Sequence, residues 1–384
     1  MSTEVWFAPG RANLMGEHTD YNEGYVLPFA LAQGVTATAT ARSDRLLALR
    51  SRQRPAEPVT LSLDSLAPGS VTGWAAYPAG VAWALGAAGF GIAGASIDID
   101  SDLPVGAGVS SSAALECSVA LALCSLSGVS VPREKLALIA KRAENEFVGA
   151  PTGIIDQSAA LLCQADHAML LDCRTLATTQ VPFQPQAAGA TALIVDTRVT
   201  HALVSGEYAA RRAECEEAAR LLGVPALGLV PNADAVEALA DPVLRRRARH
   251  VITDSARARA IASALQRAGE GEGGGGGGGG DSVDTFRYIG TLLTEGHVSL
   301  RDDFEVSWPQ ADAAVDAAIG AGAYGAKMIG GGFGGSVLAL IPLELEATVR
   351  SILLKTFKEQ GWVAPEFLTA VPSPAARRLD HADR

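Results

Sequence analysis

Apolar residues recur along this chain with two periods. In Gly94–Pro104, GASIDIDSDLP, Ile97 and Ile99 alternate with Asp98 and Asp100. A period of two places both isoleucines on one face of a strand, so the segment predicts a half-buried β-strand. Thr36–Ser51, TATATARSDRLLALRS, alternates small β-branched residues with alanine, then apolar with charged residues. It predicts strands on either side of a turn at Ser43-Asp44. The period then lengthens. Leu115, Val119, Ala122 and Leu126 stand at helical spacing within Ala113–Leu126, as do Leu136, Ile139, Ala143 and Phe147 within Arg133–Phe147. ALIVDT, Ala192–Thr197, is a continuous apolar run and predicts a buried strand. GEYAARRAECEEAARLLG, Gly206–Gly223, predicts a helix closed by its last glycine. A mostly helical region follows to the vicinity of Pro309, and a further helix is predicted around Leu345–Gln360.

Two glycine-rich stretches interrupt these patterns. Gly273–Gly280 is a run of eight glycines. Each glycine costs a helix about 1 kcal/mol relative to alanine, so the run reads as a flexible connector and stands outside the fold reasoning. KMIGGGFGGSVLAL, Lys327–Leu340, places a glycine-rich turn at 330–335 before a strand. It reads as a tight, closely approached turn or as a hairpin bend that needs positive φ. No internal repeat is visible. A division near residues 175–190 is expected, giving an N-terminal domain, 1–180, and a C-terminal domain, 181–384.

Composition narrows the class. At 384 residues the chain exceeds one ordinary core. Its net charge of −11 argues against nucleic acid and anionic membrane surfaces as partners, though not against a local phosphate site. No apolar run is long enough to span a membrane, and MSTEVWFAPGR lacks the pattern of a secretion signal. The five cysteines form no CxxC. Cys117, Cys124, Cys163 and Cys215 sit in apolar or helical context, unlike Cys173, and buried free thiols in a reducing cytoplasm are expected.

Two polar motifs stand out against this apolar background. In LPVGAGVSSSAALE, Leu103–Glu116, a strand runs into Gly106 and Gly108, then Ser110, Ser111 and Ser112, then a helix. Glycines let backbone approach a ligand, and a helix N-terminus presents unpaired N–H groups to an anion. The motif reads as a phosphate cradle, with a serine N-cap after a tight turn as the alternative. It is not GxxxxGK[ST], since no lysine follows. The second motif, GRANLMGEHTDYN, Gly10–Asn22, gathers Arg11, Glu17, His18 and Asp20. It is either a solvated loop or a site for a polyhydroxylated ring, whose buried hydroxyls each want a partner.

In the order GRANLMGEHTDYN, LPVGAGVSSSAALE, GGGFGG, the chain resembles the galactokinase branch of the GHMP sugar and metabolite kinases. Weaker matches fill the gaps: WAAYPAGV (Trp74–Val81), GAPTGIIDQ (Gly149–Gln157), EYAARRAECEEA (Glu207–Ala218), RARHVITD (Arg247–Asp254) and SLRDDFEVS (Ser299–Ser307). The resemblance covers essentially the whole chain. It departs at the glycine run, at Met15 and at Ser336, where the family commonly has a branched aliphatic and a cysteine.

The resemblance implies a two-lobed α+β fold. Its N-terminal lobe would be a mixed sheet with helices and a left-handed βαβ crossover, its C-terminal lobe an antiparallel sheet with helices, and its site the cleft between them. It implies phosphoryl transfer from ATP, with Mg²⁺, to the anomeric hydroxyl of α-D-galactose. Carried over by position, Glu17 and His18 take the 6-hydroxyl end of the sugar and Asp20 accepts from the 3- and 4-hydroxyls. Gly153 touches the ring through its backbone, and Tyr208 reaches the 4-hydroxyl side. Asp156 stands beside the anomeric hydroxyl with Arg11 paired to it. Ser112 and Glu144 are nominated for the metal. Trp74 is nominated to pack beside adenine, with a core tryptophan as the other reading. His201 resembles a position near the site and receives no role. A kinase for arabinose or N-acetylgalactosamine is the nearest alternative. A non-catalytic galactose and ATP sensor is a further one, but such relatives are expected to have a damaged phosphate loop, and GAGVSSSAA is complete here. A cytoplasmic monomer is expected.

Overall fold

The computed structural model describes residues 3–104, 106–200, 205–271 and 280–379. His201, Val105 and all of the glycine run except Gly280 lie outside them. In chain order, β1 (Thr3–Asn13), β2 (Tyr25–Val26), β3 (Pro28–Ala41), β4 (Leu46–Ser51) and β5 (Val59–Ser62) precede α1 (Ala76–Ala87) and β6 (Ala95–Ser101). Helices α2 (Ser111–Leu126), α3 (Arg133–Arg142) and α4 (Ile155–Leu162) follow, then β7 (His167–Asp172), β8 (Thr178–Pro182) and β9 (Ala190–Asp196). Next come α5 (Ser205–Leu221), α6 (Pro242–Gly271), α7 (Gly280–Asp302), α8 (Pro309–Gly320), β10 (Gly325–Ile329), β11 (Ser336–Pro342), α9 (Glu346–Glu359), β12 (Glu366–Ala370) and β13 (Arg377–Arg378).

Six strands form a mixed sheet in the order β13-β1-β3-β6-β4-β5. Strand β4 pairs parallel to β6, reached through β5 and α1. Because β6 inserts between β3 and β4, the strands flanking Ser43-Asp44 do not pair with each other. Alternation in β6 holds: Ile97 and Ile99 are buried and Asp98 is exposed. A four-stranded antiparallel sheet, β10-β11-β9-β12, forms the second lobe, and β2-β7-β8 form a small third sheet.

Packing explains why period alone under-reads some segments. Helix α2 is buried on almost every side from Ala113 to Cys124, so it has no single apolar stripe. β9 is buried on both faces. Ala190, Ala192 and Ile194 join the first core, while Leu193 and Val195 join the second, which explains its unbroken apolar run. The two long helices serve both cores. Ala258, Ile261 and Leu265 of α6, with Phe286, Ile289 and Leu293 of α7, pack on the first. Leu244, Val251 and Ile252 of α6, with Leu300 of α7, pack on the second.

The segment predicted as one helix over Arg133–Phe147 changes form. α3 ends at Arg142, and Ala143–Val148 makes a π-helical turn closed by Gly149 at φ 86°. The wider turn keeps Phe147 in the core while directing Glu144 inward. All five cysteines are free, with Cys173 half-buried and the others buried. Among the described residues no helix is long and apolar enough to cross a membrane.

Candidate active site

Arg11 is the centre of the arrangement. β1 shifts register against β3 between Pro9 and Arg11. A Cβ on Gly10 would lie 2.6 Å from both Leu103 Cδ2 and the Val109 carbonyl, so glycine at this bulge lets β1 lie against the loop before α2. The Arg11 N–H donates to the Val109 carbonyl at 3.1 Å, and its Nη1 donates to the Gly108 carbonyl at 2.6 Å. Its Nε lies 2.8 Å from Asp156 Oδ1, in the first turn of α4. The guanidinium is almost wholly buried, whereas the Asp156 side chain keeps 20% of its surface exposed. One cation therefore ties a strand, a loop and a partly open carboxylate.

The loop itself has the backbone of a cradle. Gly106, Gly108 and Ser110 have φ of 82°, 71° and 62°, and α2 begins at Ser111. A Cβ on Gly106 or Gly108 would meet nothing closer than 3.8 Å among the described residues. The glycines are thus required by positive φ. Ser110 Oγ is buried without a hydrogen-bond partner among the described residues, and Ser111 is exposed at the helix start. An orphaned hydroxyl beside a helix N-terminus suits an anion.

The second glycine turn is part of the same structure. β10 and β11 pair as a hairpin, so 330–335 is its bend. Gly330, Gly332, Phe333, Gly334 and Gly335 all have positive φ. The bend leans on the first loop: Ser336 Oγ donates to the Ala107 carbonyl at 2.7 Å. Ser336, a departure from the family pattern, is therefore a direct tie between the two glycine loops.

Two carboxylates, Glu144 and Glu116, gather behind Asp156. Glu144 Oε2 accepts from Thr152 Oγ1 at 2.8 Å and from Gln157 Nε2 at 2.7 Å, and Ser112 hydrogen-bonds the same carboxylate. Glu116 Oε2 accepts from the same Gln157 Nε2 at 3.1 Å, and Glu116 Oε1 is buried without a partner. Burial, and then the charge of Asp156, push the Glu144 carboxyl upward; burial and Glu144 push Glu116 well above the carboxylate range. Hard oxygen donors with unrelieved negative charge fit a small divalent cation. Among the described residues no three His, Cys, Asp or Glu could hold an ion by themselves.

The GEHTDYN segment enters from the other side. Asp20 accepts from the Tyr21 N–H at 3.0 Å and the Ile155 N–H at 3.4 Å. A Cβ on Gly153 would fall inside the Asp20 carboxylate, so Gly153 is what lets Asp20 approach α4. Burial and Asp156 raise the Asp20 carboxyl above its ordinary range. Tyr208 on α5 stacks 5.2 Å from the His18 ring, and burial followed by the charges of Asp20 and Asp156 raises its hydroxyl's pKa. Arg11, Asp20, Gly153, Asp156 and Tyr208 thus converge.

Glu17 and His18 face protein partners. Glu17 Oε1 lies 3.0 Å from Nζ of the fully buried Lys327. His18, at φ 62°, sets Nε2 against the Gly331 carbonyl at 3.2 Å and Nδ1 against the Tyr21 hydroxyl at 2.9 Å. Burial pushes its pKa down to about 3, and the neutral ring donates from Nε2 and accepts at Nδ1. Trp74 packs half-buried against the first core, and its indole N–H is buried without a partner among the described residues.

Sequence reasoning did not single out Lys327, His250, Asp254, Glu116 or Gln157. Asp254 accepts from the Gly16 and Glu17 N–H groups at 3.0 and 3.1 Å, and His250 Nε2 meets the Glu17 carbonyl at 3.0 Å. A signal existed: Arg247, His250 and Asp254 lie at i, i+3 and i+7 of α6, on the buried stripe with Val251 and Ala258.

The fold and its paired glycine loops define a GHMP kinase. Models of the GHMP kinase N-terminal and C-terminal domains match residues 76–164 and 284–359. The crystal structure of Methanococcus jannaschii mevalonate kinase shares the fold at a TM-score of 0.63 and 16% identity, covering 99% of each chain. The galactokinase galactose-binding signature matches residues 2–41. Galactokinase of Streptomyces coelicolor is 47% identical over 98% of this chain and 94% of its own length. Galactokinase of Mycobacterium tuberculosis is 41% identical over 97% and 99%. The structure of Lactococcus lactis galactokinase complexed with galactose superposes with a TM-score of 0.90 at 30% identity, covering 98% of this chain and 95% of that one. The chain belongs to the galactokinase family, and it is an ATP-dependent sugar kinase.

Proposed function

We propose that the chain phosphorylates the anomeric hydroxyl of α-D-galactose, giving galactose 1-phosphate and ADP, with Asp156 as the base. The observation that carries this reading is the Arg11 guanidinium, 2.8 Å from Asp156 and 2.6 Å from the Gly108 carbonyl. It links the proton acceptor to the loop that would cradle the phosphates.

Arg11 orients the Asp156 carboxylate, which keeps part of its surface open. Asp156 takes the proton of the anomeric hydroxyl as that oxygen attacks the γ-phosphoryl group of ATP. Arg11 remains beside the transferring group and offsets its charge. The N-terminus of α2, with Ser110 and Ser111, receives the phosphates. Glu144 and Ser112 would hold Mg²⁺, which supplies charge neutralisation at the phosphate oxygens. Asp20 and Tyr208 meet the sugar's 3- and 4-hydroxyls. The galactose bound by the Lactococcus lactis relative supports this class of substrate. Glu17 and His18, held by Lys327 and Gly331, stay at the 6-hydroxyl end and shape the pocket. Trp74 is assigned to the adenine side. The free thiols support a cytoplasmic setting.

Asp156→Asn keeps the shape and removes the acceptor. Turnover should fall by about two orders of magnitude or more while galactose still binds in calorimetry. Near-parental ADP release by purified Asp156→Asn removes this residue from the mechanism, and an assay across monosaccharides tests the sugar.

A further inference from the structure

We propose that Gln157 and Glu116 act together as positioning residues for Glu144, fixing its carboxylate toward the phosphate loop. The proposal rests on the reading of Glu144 as a metal ligand.

The two residues have no place in the chemistry described above, yet both are completely buried. Gln157 follows Asp156 in the first turn of α4. Its amide nitrogen has two hydrogens, and both are used: one goes to Glu144 Oε2 at 2.7 Å, the other to Glu116 Oε2 at 3.1 Å. Thr152 supplies a second donor to the same Glu144 oxygen. On α2, Ser112 and Glu116 are four residues apart and share a face. Ser112 reaches Glu144 directly, and Glu116 reaches it through the Gln157 amide. Glu144 is thus held from two successive turns of the helix that opens the phosphate loop, and from the helix that carries Asp156.

Glu116 makes no ion pair among the described residues. Burial disfavours a solitary charge in the interior and pushes the Glu116 carboxyl well above the carboxylate range. Through Oε2 Glu116 accepts the second Gln157 amide hydrogen, and that contact is what holds the amide toward Glu144. A purely space-filling role makes a different prediction, because an apolar side chain of similar volume often replaces a buried polar one without loss.

The experiment compares Glu116→Gln, Glu116→Leu, Gln157→Leu and Glu144→Gln in the full chain. Mn²⁺ binding with a non-hydrolysable ATP analogue is read by electron paramagnetic resonance, with galactose affinity and thermal midpoint alongside. Glu116→Leu and Gln157→Leu should weaken Mn²⁺ binding by about tenfold or more, as loss of a partner behind a metal ligand does. Glu116→Gln, which keeps an acceptor, should stay within about twofold of the parent. Galactose affinity should hold in all four. Parental Mn²⁺ affinity in Gln157→Leu, with Glu144→Gln impaired, overturns the proposal. Parental affinity in Glu144→Gln overturns the metal-ligand reading beneath it. Equal losses in Glu116→Gln and Gln157→Leu overturn the acceptor role of Glu116, and this comparison stands even if Glu116→Leu fails to fold.

Discussion

Replacing Lys327 by methionine keeps the length of the side chain and removes its charge. Lys327 is fully buried in β10. Its ammonium lies 3.0 Å from Glu17 Oε1 and 3.3 Å from the Asn13 carbonyl, and its charge acts on the buried Asp254. In Lys327→Met the Glu17 carboxylate, only 4% exposed, loses its cation without gaining water. Removing one member of a buried ion pair costs about 3–5 kcal/mol, most of it the uncompensated charge left behind. With an unfolding entropy of about 2.1 cal/mol/K per residue over 384 residues, that loss lowers the thermal midpoint by roughly 4–6 °C. Glu17→Gln/Lys327→Met removes the charge and its cause together. The double variant should recover about 2 kcal/mol relative to the sum of the single changes. Thermal and urea unfolding of the parent, both single variants and the double variant measure the cycle. Additive losses, or a Lys327→Met protein within about 1 kcal/mol of the parent, would refute the claim that this pair clamps the GEHTDYN segment to the second lobe.

Three further outcomes follow from the same geometry. Asp20→Ala should raise the galactose KM and shrink the preference over glucose, because each buried hydroxyl partner lost is worth about 1–3 kcal/mol; Tyr208→Phe should do so more mildly, and kcat/KM for both sugars decides. His250 has its pKa pushed from 6.5 to about 4 by burial, so the unfolded chain binds its proton first and stability falls as pH drops through that window. Near pH 5 the loss is about 2 kcal/mol, and His250→Asn should flatten the change between neutral pH and pH 5 by that amount in urea unfolding, whereas an unchanged slope excludes the effect. Ser336→Ala leaves the Ala107 carbonyl without its donor and should raise the ATP KM by about fivefold or more with the galactose KM unaltered; Ser336→Cys should retain most of the affinity, and equal ATP KM values in parent and alanine variant would break the proposed link between the glycine loops.

The sequence by itself determined the local elements and the chemistry they carry. Period two marked β6, an unbroken apolar run marked β9, and terminal glycine marked the end of α5. Gly106, Gly108 and the serines were legible because positive φ and an anion-binding helix start restrict residue type locally. The pairing of Arg11 with Asp156 came only through the resemblance, since the two are distant in sequence and nothing local pairs them. What tertiary structure alone decided is which charged groups meet. β6 inserts between β3 and β4, α6 and α7 serve two cores, and Lys327 crosses to Glu17 over a separation of 310 residues. His250 and Asp254 occupy stripe positions that look merely polar in a helix until the GEHTDYN backbone arrives to use them. The physical reason is common to all of these. Backbone conformation is restricted within a few residues, whereas a buried polar group is satisfied by whichever partner the fold brings within about 3 Å.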